Sequence, residues 1–586
     1  MGEPRPNHFH GGLDIKTDQR TGLPVYAAAD GYIYRIAVSS KGYGNALYIK
    51  HYNGLITVYG HLEWFNGAIG KYMKDLLYAN QCNENDHLVP PNLLKVKKGD
   101  TIAWSGNTGS SGGPHLHWEI RDADENLLNP LFFNFSEIKD NMKPFANKIA
   151  LRTMDINSRV EGEFGRVEFV PKKIGNDYVL NYPIHAQGLL GLELIAYDFM
   201  NGTGNKMGLS LIEVKVDGKE VFVHDIQKIR FEDNVFVNAH LEYGILKEHG
   251  NYFQRCYVSD GNMLNTYCYG DYCGKIMIKD TLIHYAEVIL YDSYRNQTIV
   301  KFRIKGTKNH KPSVKYVSKK HKYPKPLINH IDYENTLKIS APVQSNKRAT
   351  LFITNIKIDL DPAYIKGNEA IYLWDLRKGL PDSIFIGKLK HSFDFDQVLP
   401  SNNALLYSHP YMDIIFQKNA ILDTFYFSLG HYKGIYSIHD HRSPLFSSLT
   451  VTLKPDFEVP NKEKVSVYNY TPGGGYRFAG GEWRGNSIKF RTKILGDFVL
   501  REDTIGPKIK FKKRIGKSVF FNLTDNLSGI AHWYAYLNGK FLLMHYDPKF
   551  GVIFSDLQQD NEVVSGQLLI GAIDNCGNIS QSVFNF

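Results

Sequence analysis

The sequence predicts a mostly β protein made of several domains. Its 586 residues exceed what one hydrophobic core usually supports, and at about 150 residues per domain they correspond to roughly four domains. Tyr and Phe dominate an aromatic content of 13%, which favours β structure. Short alternating strands separated by Gly-rich turns recur along the chain. We therefore expect a small antiparallel β-sheet domain near the N-terminus, followed by several immunoglobulin-like β-sandwich modules.

The first domain is predicted to occupy residues 1–140. Between residues 25 and 121 the sequence consists of short strand candidates interrupted by Gly-rich turns. One helix is predicted at residues 68–79, where apolar side chains recur at helical spacing before a Pro-Pro break. The pair Asn129-Pro130 indicates where this domain closes.

The remaining chain is predicted to form an immunoglobulin-like sandwich at 141–308, a β-rich module at 309–458 and a C-terminal immunoglobulin-like region at 459–586. The first and last of these share a weak internal similarity. Each has a hairpin signal, Asp217-Gly218 or Asn538-Gly539, and later an Asp-led turn. The turn-rich stretch 472–507 is interpreted as a linker region.

The charge pattern excludes some classes of partner. A net charge of +9 from 69 basic and 60 acidic residues is a mild bias that suits an anionic polymer such as a bacterial cell wall. The sequence contains neither a dense Lys/Arg run nor a nucleic-acid-binding motif, so no nucleic-acid partner is expected. No apolar run is long enough for a transmembrane segment. The oligomeric state is not predictable.

Two minor features have more than one interpretation. Among the five cysteines, a disulfide between two of Cys256, Cys268 and Cys273 is one possibility, and a metal site there is disfavoured by the irregular spacing. The Asp-led segments that begin at Asp198 and Asp574 carry oxygen ligands suited to calcium, but turns closed by their own side chains are the favoured explanation.

Three separated pieces of the first domain carry candidate chemistry. They are His-Gly-Gly-Leu-Asp from His10, Tyr-Gly-His-Leu around His61, and a Gly-rich loop that leads into His115-Leu-His117-Trp. In a strand, side chains at i and i+2 point to the same face, so His115 and His117 are expected side by side. A catalytic zinc needs three protein ligands and one open position, and His10 with Asp14 can supply the rest. Four candidates for three places leave one histidine over.

The three pieces, in this order and with Val-Lys-Lys-Gly-Asp (96–100) before the Gly-rich loop, resemble the LytM/lysostaphin-type zinc metallopeptidases. The resemblance covers about residues 2–135. It implies that His10, Asp14 and His117 bind Zn²⁺. It also implies that His115 activates water as a general base, and that His61 is a second catalytic histidine that stabilises the transition state when protonated.

The resemblance implies a peptidoglycan endopeptidase that hydrolyses peptide cross-links or stem peptides of the bacterial cell wall. An alternative is a non-catalytic wall-binding or hydrolase-activating protein with the same fold. A third hypothesis is that the sandwiches are the main functional part and serve in adhesion or assembly. The expected location is periplasmic, or secreted and at the cell surface, with an export signal upstream of this sequence. An insertion at 68–92, relative to simpler members, could wall the cleft or cover it as a lid.

Overall fold

The computed structural model describes residues 1–308, 327–343, 348–555 and 564–586. Within these ranges β-sheets dominate, and the expected mostly β architecture is confirmed. The five largest hydrophobic clusters lie in five successive parts of the chain. The first part is the N-terminal domain, and the other four are β-sandwich modules.

The N-terminal domain is built on one large antiparallel sheet. Its central strand is His115–Arg121, which pairs with Leu13–Lys16 and with Ile56–Phe65. On the far side of Ile56–Phe65 the sheet continues through Asn45–His51 to Gly31–Val38. The strands of this domain are Pro4–Arg5, His8–Phe9, Leu13–Lys16, Pro24–Tyr26, Gly31–Val38, Asn45–His51, Ile56–Phe65, Asn85–Leu88, Lys95–Val96, Thr101–Ser105, His115–Arg121 and Leu127–Leu128.

The predicted helix forms at Gly67–Ala79, and a short 3-10 helix follows the last strand at Pro130–Phe133. Met73 and Leu77 are fully buried in the core of the N-terminal domain. The insertion 68–92 also contributes the strand Asn85–Leu88, which pairs with Gly31–Val38 at the edge of the sheet. This insertion is therefore part of the domain's packed body.

The first sandwich is organised around one long strand, Asp177–Tyr197. Its N-terminal half pairs with Gln297–Gly306 and its C-terminal half with Phe145–Thr153, so it belongs to both sheets. Helices occur at Val237–His240 and Tyr243–His249, and 3-10 turns at Phe231–Phe236 and Asp271–Gly274. The strands are Phe145–Thr153, Arg159–Val160, Arg166–Phe169, Lys172–Ile174, Asp177–Tyr197, Leu211–Val216, Lys219–Asp225, Lys228–Ile229, Gln254–Arg255, Tyr267–Tyr269, Ile276–Ile278, Ile283–Tyr291 and Gln297–Gly306.

Three further sandwiches follow, where the sequence predicted two modules. The second sandwich has strands Asn329–Tyr333, Thr336–Pro342, Ala349–Ile353, Ile356–Leu360, Tyr364–Lys366, Glu369–Asp375, Ser383–Ile386 and Leu389–Ser392, with a 3-10 turn at Leu376–Lys378. The third has strands Gln397–Leu399, Leu405–His409, Met412–Phe416, Phe425–Phe427, Leu429–Tyr432, Ile435–Ile438, Leu449–Leu453, Val465–Thr471, Gly475–Gly480, Glu482–Arg484, Ser487–Thr492 and Gly496–Glu502, with a 3-10 turn at Lys462–Lys464. The fourth has strands Lys508–Ile515, Ser518–Thr524, Ile530–Leu537, Lys540–Phe541, Met544–Asp547, Val552–Ser555, Gln567–Asp574 and Ile579–Asn585.

The division expected between residues 458 and 459 falls inside the third sandwich. Leu449–Leu453 pairs with Ser487–Thr492 across that point. The Gly-rich stretch at Gly473 is a hairpin turn between Val465–Thr471 and Gly475–Gly480, so it closes two strands of one sheet and is not a linker. Pro and Gly mark turns inside a module as strongly as they mark joints between modules. The division expected at residue 309 lies outside the described residues.

The two hairpin signals are present in the first and fourth sandwiches. Asp217 and Gly218 both have positive φ angles (51° and 77°), as do Asn538 and Gly539 (50° and 77°). This conformation gives a two-residue turn that matches the twist of the flanking strands. All five cysteines are free thiols. No helix in the described part of the chain is both long and apolar enough to cross a membrane.

Candidate metal centre and active site

The register of three neighbouring strands brings the predicted site residues together. His117 faces Asp14 on one adjoining strand and Gly60 on the other. His115 lies two residues before His117, so both imidazoles are on the same face of the sheet. His61 follows Gly60 with a φ of 59°, an uncommon conformation for a residue with a side chain. The strands of this one sheet thus carry four of the five predicted site residues, namely Asp14, His61, His115 and His117.

Three ligand atoms form a compact triangle. Asp14 Oδ1 lies 2.9 Å from His10 Nε2 and 3.0 Å from His117 Nδ1, and the two nitrogens are 3.1 Å apart. Ligands about 2.0–2.1 Å from a tetrahedral zinc are about 3.3 Å from one another, so this triangle is close to the size that zinc requires. One carboxylate and two imidazoles with an open fourth side fit a catalytic zinc.

The N-terminal loop approaches the central strand closely enough to require glycine. A Cβ atom at Gly12 would lie 2.1 Å from the carbonyl oxygen of Trp118. The glycine pair therefore lets the segment that carries His10 pack directly on the strand that carries His117. Both imidazoles are almost fully buried, at 5% and 6% exposure.

Glu119 orients His117. Its Oε1 lies 2.9 Å from His117 Nε2, so that nitrogen donates a proton and the lone pair of Nδ1 is left for a metal. The carboxylate also accepts hydrogen bonds from Tyr43 (2.6 Å) and from Arg121 Nε (2.8 Å). Burial alone would raise the pKa of Glu119, but His117 and Arg121 lower it to about 2. Glu119 is therefore ionised and fixed.

Arg5 orients Asp14, as Glu119 orients His117. Its Nη2 donates to Asp14 Oδ2 over 2.8 Å, which leaves Oδ1 for the triangle. Burial acts to raise the pKa of Asp14, but the adjacent imidazoles of His10, His115 and His117 hold it far below its usual value. Burial acts to lower the pKa of His117, but Asp14 and Glu119 raise it to about 9. The two carboxylates thus favour a positive charge at His117, whereas burial lowers the pKa of His10 to about 3 and keeps that ring neutral.

His115 presents a lone pair to the ligand triangle. Its Nδ1 lies 2.8 Å from the carbonyl oxygen of Gly113, and because a carbonyl only accepts, Nδ1 carries the proton. Nε2 is therefore the unprotonated nitrogen of the neutral ring. It lies 3.5 Å from Asp14 Oδ1, at the edge of the triangle.

His61 is held in the same tautomer. Its Nδ1 donates to the carbonyl oxygen of Thr108 over 2.9 Å, and its ring centre lies 4.8 Å from that of His115. Burial, together with the nearby His117 and His115, lowers the pKa of His61 to about 4. The ring is therefore neutral near pH 7, with its Nε2 lone pair unprotonated.

The structure adds Glu119, Arg121, Tyr43 and Arg5 to the site, none of which the sequence analysis singled out. For Glu119 and Arg121 the sequence did contain a signal. Glu119 and Arg121 continue the alternation of His115 and His117 along one strand, so four polar side chains at successive i+2 positions face the same way. Tyr43 and Arg5 lie in other elements, and only the tertiary fold brings them to the site.

The fourth sandwich packs against the N-terminal domain beside this site. Asn83, in the insertion, donates to the carbonyl oxygen of Trp533 over 2.8 Å and accepts from the Met544 amide over 2.9 Å. Leu543 is fully buried in the same hydrophobic core as the helix of the insertion. Lys549 donates to the carbonyl oxygen of Asn107, next to the Thr108 that holds His61. The insertion therefore docks the last module.

Comparison with known proteins places this domain in a family. Residues 8–75 match the model of peptidase family M23, and residues 396–503, in the third sandwich, match the model of a Zu5-like domain. The chain is 38% identical over 113 residues to the DD-carboxypeptidase/endopeptidase Mpg of Neisseria meningitidis, covering 19% of this chain and 20% of that protein. It is 30% identical over 119 residues to lysostaphin of Staphylococcus staphylolyticus, with 20% of each chain covered.

The chain spans about a fifth of the length of the first curated relatives that it matches. Among solved structures, the catalytic domain of lysostaphin from Staphylococcus simulans is 28% identical, with 20% of this chain and 68% of that chain covered and a TM-score of 0.15. By its match to the family model, the N-terminal part of this chain contains a peptidase family M23 domain, and its sequence is similar to that of lysostaphin.

Proposed function

We propose that this chain is a zinc-dependent endopeptidase that hydrolyses peptide cross-links or stem peptides of bacterial peptidoglycan, in the periplasm or at the cell surface. The observation that carries the proposal is the triangle of His10, Asp14 and His117 next to two further imidazoles, each with its Nδ1 proton held by a carbonyl group and its Nε2 lone pair left over. A non-catalytic binding protein does not need all five groups. Relatives named as a peptidoglycan DD-endopeptidase and as lysostaphin support the choice of substrate.

Zinc in this site would supply an activated water at neutral pH and would polarise a peptide carbonyl. The role of the chain is to place proton acceptors next to that water. His115 Nε2 accepts one proton as the water oxygen adds to the carbonyl carbon, and the same nitrogen then returns a proton to the departing amine as the C–N bond breaks. The hydrogen bond from Nδ1 to Gly113 keeps the ring in the acceptor tautomer at the start of the cycle.

His61 is the second proton acceptor in this proposal. Its ring lies beside that of His115, and because its pKa is low it begins neutral. In its protonated form it donates to the developing oxyanion; that proton comes from solvent and returns there after turnover, because His115 holds the proton released by the water. The pair thus provides one base and one group that becomes an acid during the reaction.

Digestion of defined cross-linked muropeptides by the full chain loaded with one equivalent of zinc, with products identified by mass, tests the proposal. We expect each product pair to gain one water, and the masses to identify the cleaved bond. An intact substrate after prolonged incubation with zinc-loaded protein would instead support the wall-binding or activator function. Asp14→Ala protein, which lacks a charged ligand, is the matched control for contaminating hydrolases.

A further inference from the structure

Two sandwiches contain the same arrangement of three aspartates. In the first sandwich the carboxylates are those of Asp140, Asp198 and Asp292, and in the fourth they are those of Asp503, Asp525 and Asp574. In each set, one oxygen from every carboxylate lies within 4.8 Å of the other two. We call these sets the first and the second triad.

The triads occupy equivalent places in the two modules. One aspartate lies in the segment that enters the sandwich, one follows an early strand, and one comes at the end of the strand before the last. The last aspartate of each triad closes a turn with the asparagine four residues later, Asn296 or Asn578. Each of these asparagines also donates to the carbonyl oxygen of the entering aspartate, over 3.2 Å in the first module and 2.9 Å in the fourth.

A third copy of this turn shows what the turn alone requires. Asp122 accepts from the amide and side chain of Asn126 in the N-terminal domain, as Asp292 does from Asn296. There the carboxylate faces a cation, because Lys228 Nζ lies 2.5 Å from Asp122 Oδ2. The turn therefore needs no second or third aspartate. In the triads, two additional carboxylates occupy the side where a positive charge is expected.

The triads also leave buried oxygen atoms without partners. Asp198 is only 2% exposed, and its Oδ1 has no hydrogen-bond partner among the described residues. Asp140 Oδ2 and Asp525 Oδ1 also lack a partner among the described residues, although these two residues are only half-buried. None of the six carboxylates forms an ion pair within the described parts of the chain. Burying an unpaired carboxylate is costly, so these oxygens need a partner that the described residues do not supply.

We propose that each triad binds one calcium ion. All the donors are oxygen atoms, which hard divalent cations prefer, and calcium takes six to eight such ligands at about 2.3–2.6 Å from irregular segments. Magnesium is usually held by only one or two carboxylates and keeps several waters. Three carboxylates supply part of the calcium sphere, and backbone carbonyl groups and water complete it.

The position of each triad gives the ion a structural role. Asp140 belongs to the segment between the N-terminal domain and the first sandwich, and Asp503 to the segment between the third and fourth sandwiches. The other members of each triad belong to loops of the sandwich that follows. A bound cation therefore ties an entering segment to its module and fixes the orientation of neighbouring modules. Asp140 and Asp503 are the residues through which that tie is made.

The state without a cation is a distinct alternative. Burial and repulsion from Asp292 and Asp140 raise the pKa of Asp198 to about 8. Without a cation, Asp198 is therefore protonated near neutral pH and shares its proton within the triad. Asp198→Asn imitates that neutral form with nearly the same shape, so it separates the two cases.

Equilibrium dialysis of the full chain, freed of calcium on a chelating resin and reloaded with one equivalent of zinc, tests the proposal, with both metals measured by elemental analysis. We expect two calcium ions per chain in the wild type, one in Asp198→Asn and one in Asp525→Asn, and none in the double variant. Asp122→Asn, which alters the same kind of turn without a triad, should keep two. Calcium should raise the Tm of the wild type by about 2–4 °C and leave that of the double variant unchanged.

Three results would overturn the proposal. The first is wild-type protein that binds no calcium at about millimolar concentration, which would mean that a shared proton satisfies the triads. The second is an unchanged calcium content in the double variant. The third is complete displacement of calcium by an equal concentration of magnesium. If the double variant does not fold, Asp140→Asn replaces it as the test. Asp140 lies in a half-buried connecting segment, and this variant should also lose one calcium ion.

Discussion

Asp14 and His117 face one another directly across two antiparallel strands, and Asp14 Oδ1 lies 3.0 Å from His117 Nδ1. This pairing is fixed by the register of the sheet, so the site does not depend on a flexible loop for its central contact. Arg5 holds the second oxygen of Asp14, and Glu119 holds the second nitrogen of His117. Each ligand is thereby restricted to one donor atom for the metal.

Glu119→Gln should weaken zinc binding about 10- to 100-fold without abolishing it, because the carboxylate orients a ligand and is not one itself. Competition with a chromophoric zinc chelator measures the change. Glu125→Gln is the matched control, since Glu125 contacts the opposite side of Arg121 and does not touch His117. An equal loss of affinity in both variants would mean that the effect is a general weakening of the acidic cluster.

His115→Ala should retain zinc and lose turnover about 100- to 10,000-fold, the usual contribution of a general base. His61→Ala should also retain zinc but should shift the pH dependence of kcat, because it removes the second acceptor. Parallel measurement of zinc content and of muropeptide hydrolysis between pH 5 and 9 distinguishes the two. If His115→Ala protein kept a rate near that of the wild type while His61→Ala did not, the two roles would have to be exchanged.

Asn83→Ala should loosen the fourth sandwich from the peptidase domain. The substitution leaves the buried carbonyl of Trp533 and the buried amide of Met544 without their partners, at a cost of about 1–3 kcal/mol for each group. Limited proteolysis should then cut near residue 503 faster than in the wild type. Because the docked module also contacts Asn107, hydrolysis should fall while zinc content stays constant; normal proteolysis and activity would contradict this coupling.

Acidification should destabilise the first sandwich through His224 and His240, which are buried with ring centres 4.2 Å apart. Burial, and then the charge of Arg255, lower the pKa of His240 to about 4, and burial with the neighbouring His240 lowers the pKa of His224 strongly. An unfolded histidine titrates near 6.5. Below that pH the unfolded chain binds protons that the native chain does not bind. The free energy of unfolding therefore falls by about 1.4 kcal/mol per pH unit for each histidine.

His224→Phe should remove part of that pH dependence. Both ring nitrogens of His224 lack a hydrogen-bond partner among the described residues, so phenylalanine loses no bond there. Urea unfolding between pH 7 and 4.5 should show a slope smaller by about 1.4 kcal/mol per pH unit than in the wild type. Superimposable slopes for the two proteins would show that His224 is accessible to protons in the native state.

The local parts of the site were predictable from the sequence because they follow strand geometry. The i, i+2 spacing of His115 and His117 was enough to place both on one face. The assignment of His10, Asp14 and His117 as ligands rests on family resemblance, and the triangle of their donor atoms is compatible with it. The hydrogen bonds that select one atom of each ligand come from residues whose positions depend on the fold, such as Arg5 and Tyr43.

The module boundaries were less predictable for a physical reason. A Gly-rich turn within a sheet and a linker between sheets have the same composition, so the hairpin at Gly473 was mistaken for a joint. The docking role of Asn83 was also invisible, since its partners are backbone groups 450 and 461 residues away. Side chains that recognise distant backbone leave no local pattern.

Titration of metal-free protein with zinc, with hydrolysis of a defined muropeptide measured at each step, tests the central claim most directly. If His10, Asp14 and His117 form one catalytic site, the rate should rise linearly and stop at one zinc per chain. Asp14→Ala protein should show no rise over the same range, because it lacks the charged ligand. Full activity in the metal-free chain, or the same endpoint at one zinc in the Asp14→Ala variant, would contradict the account.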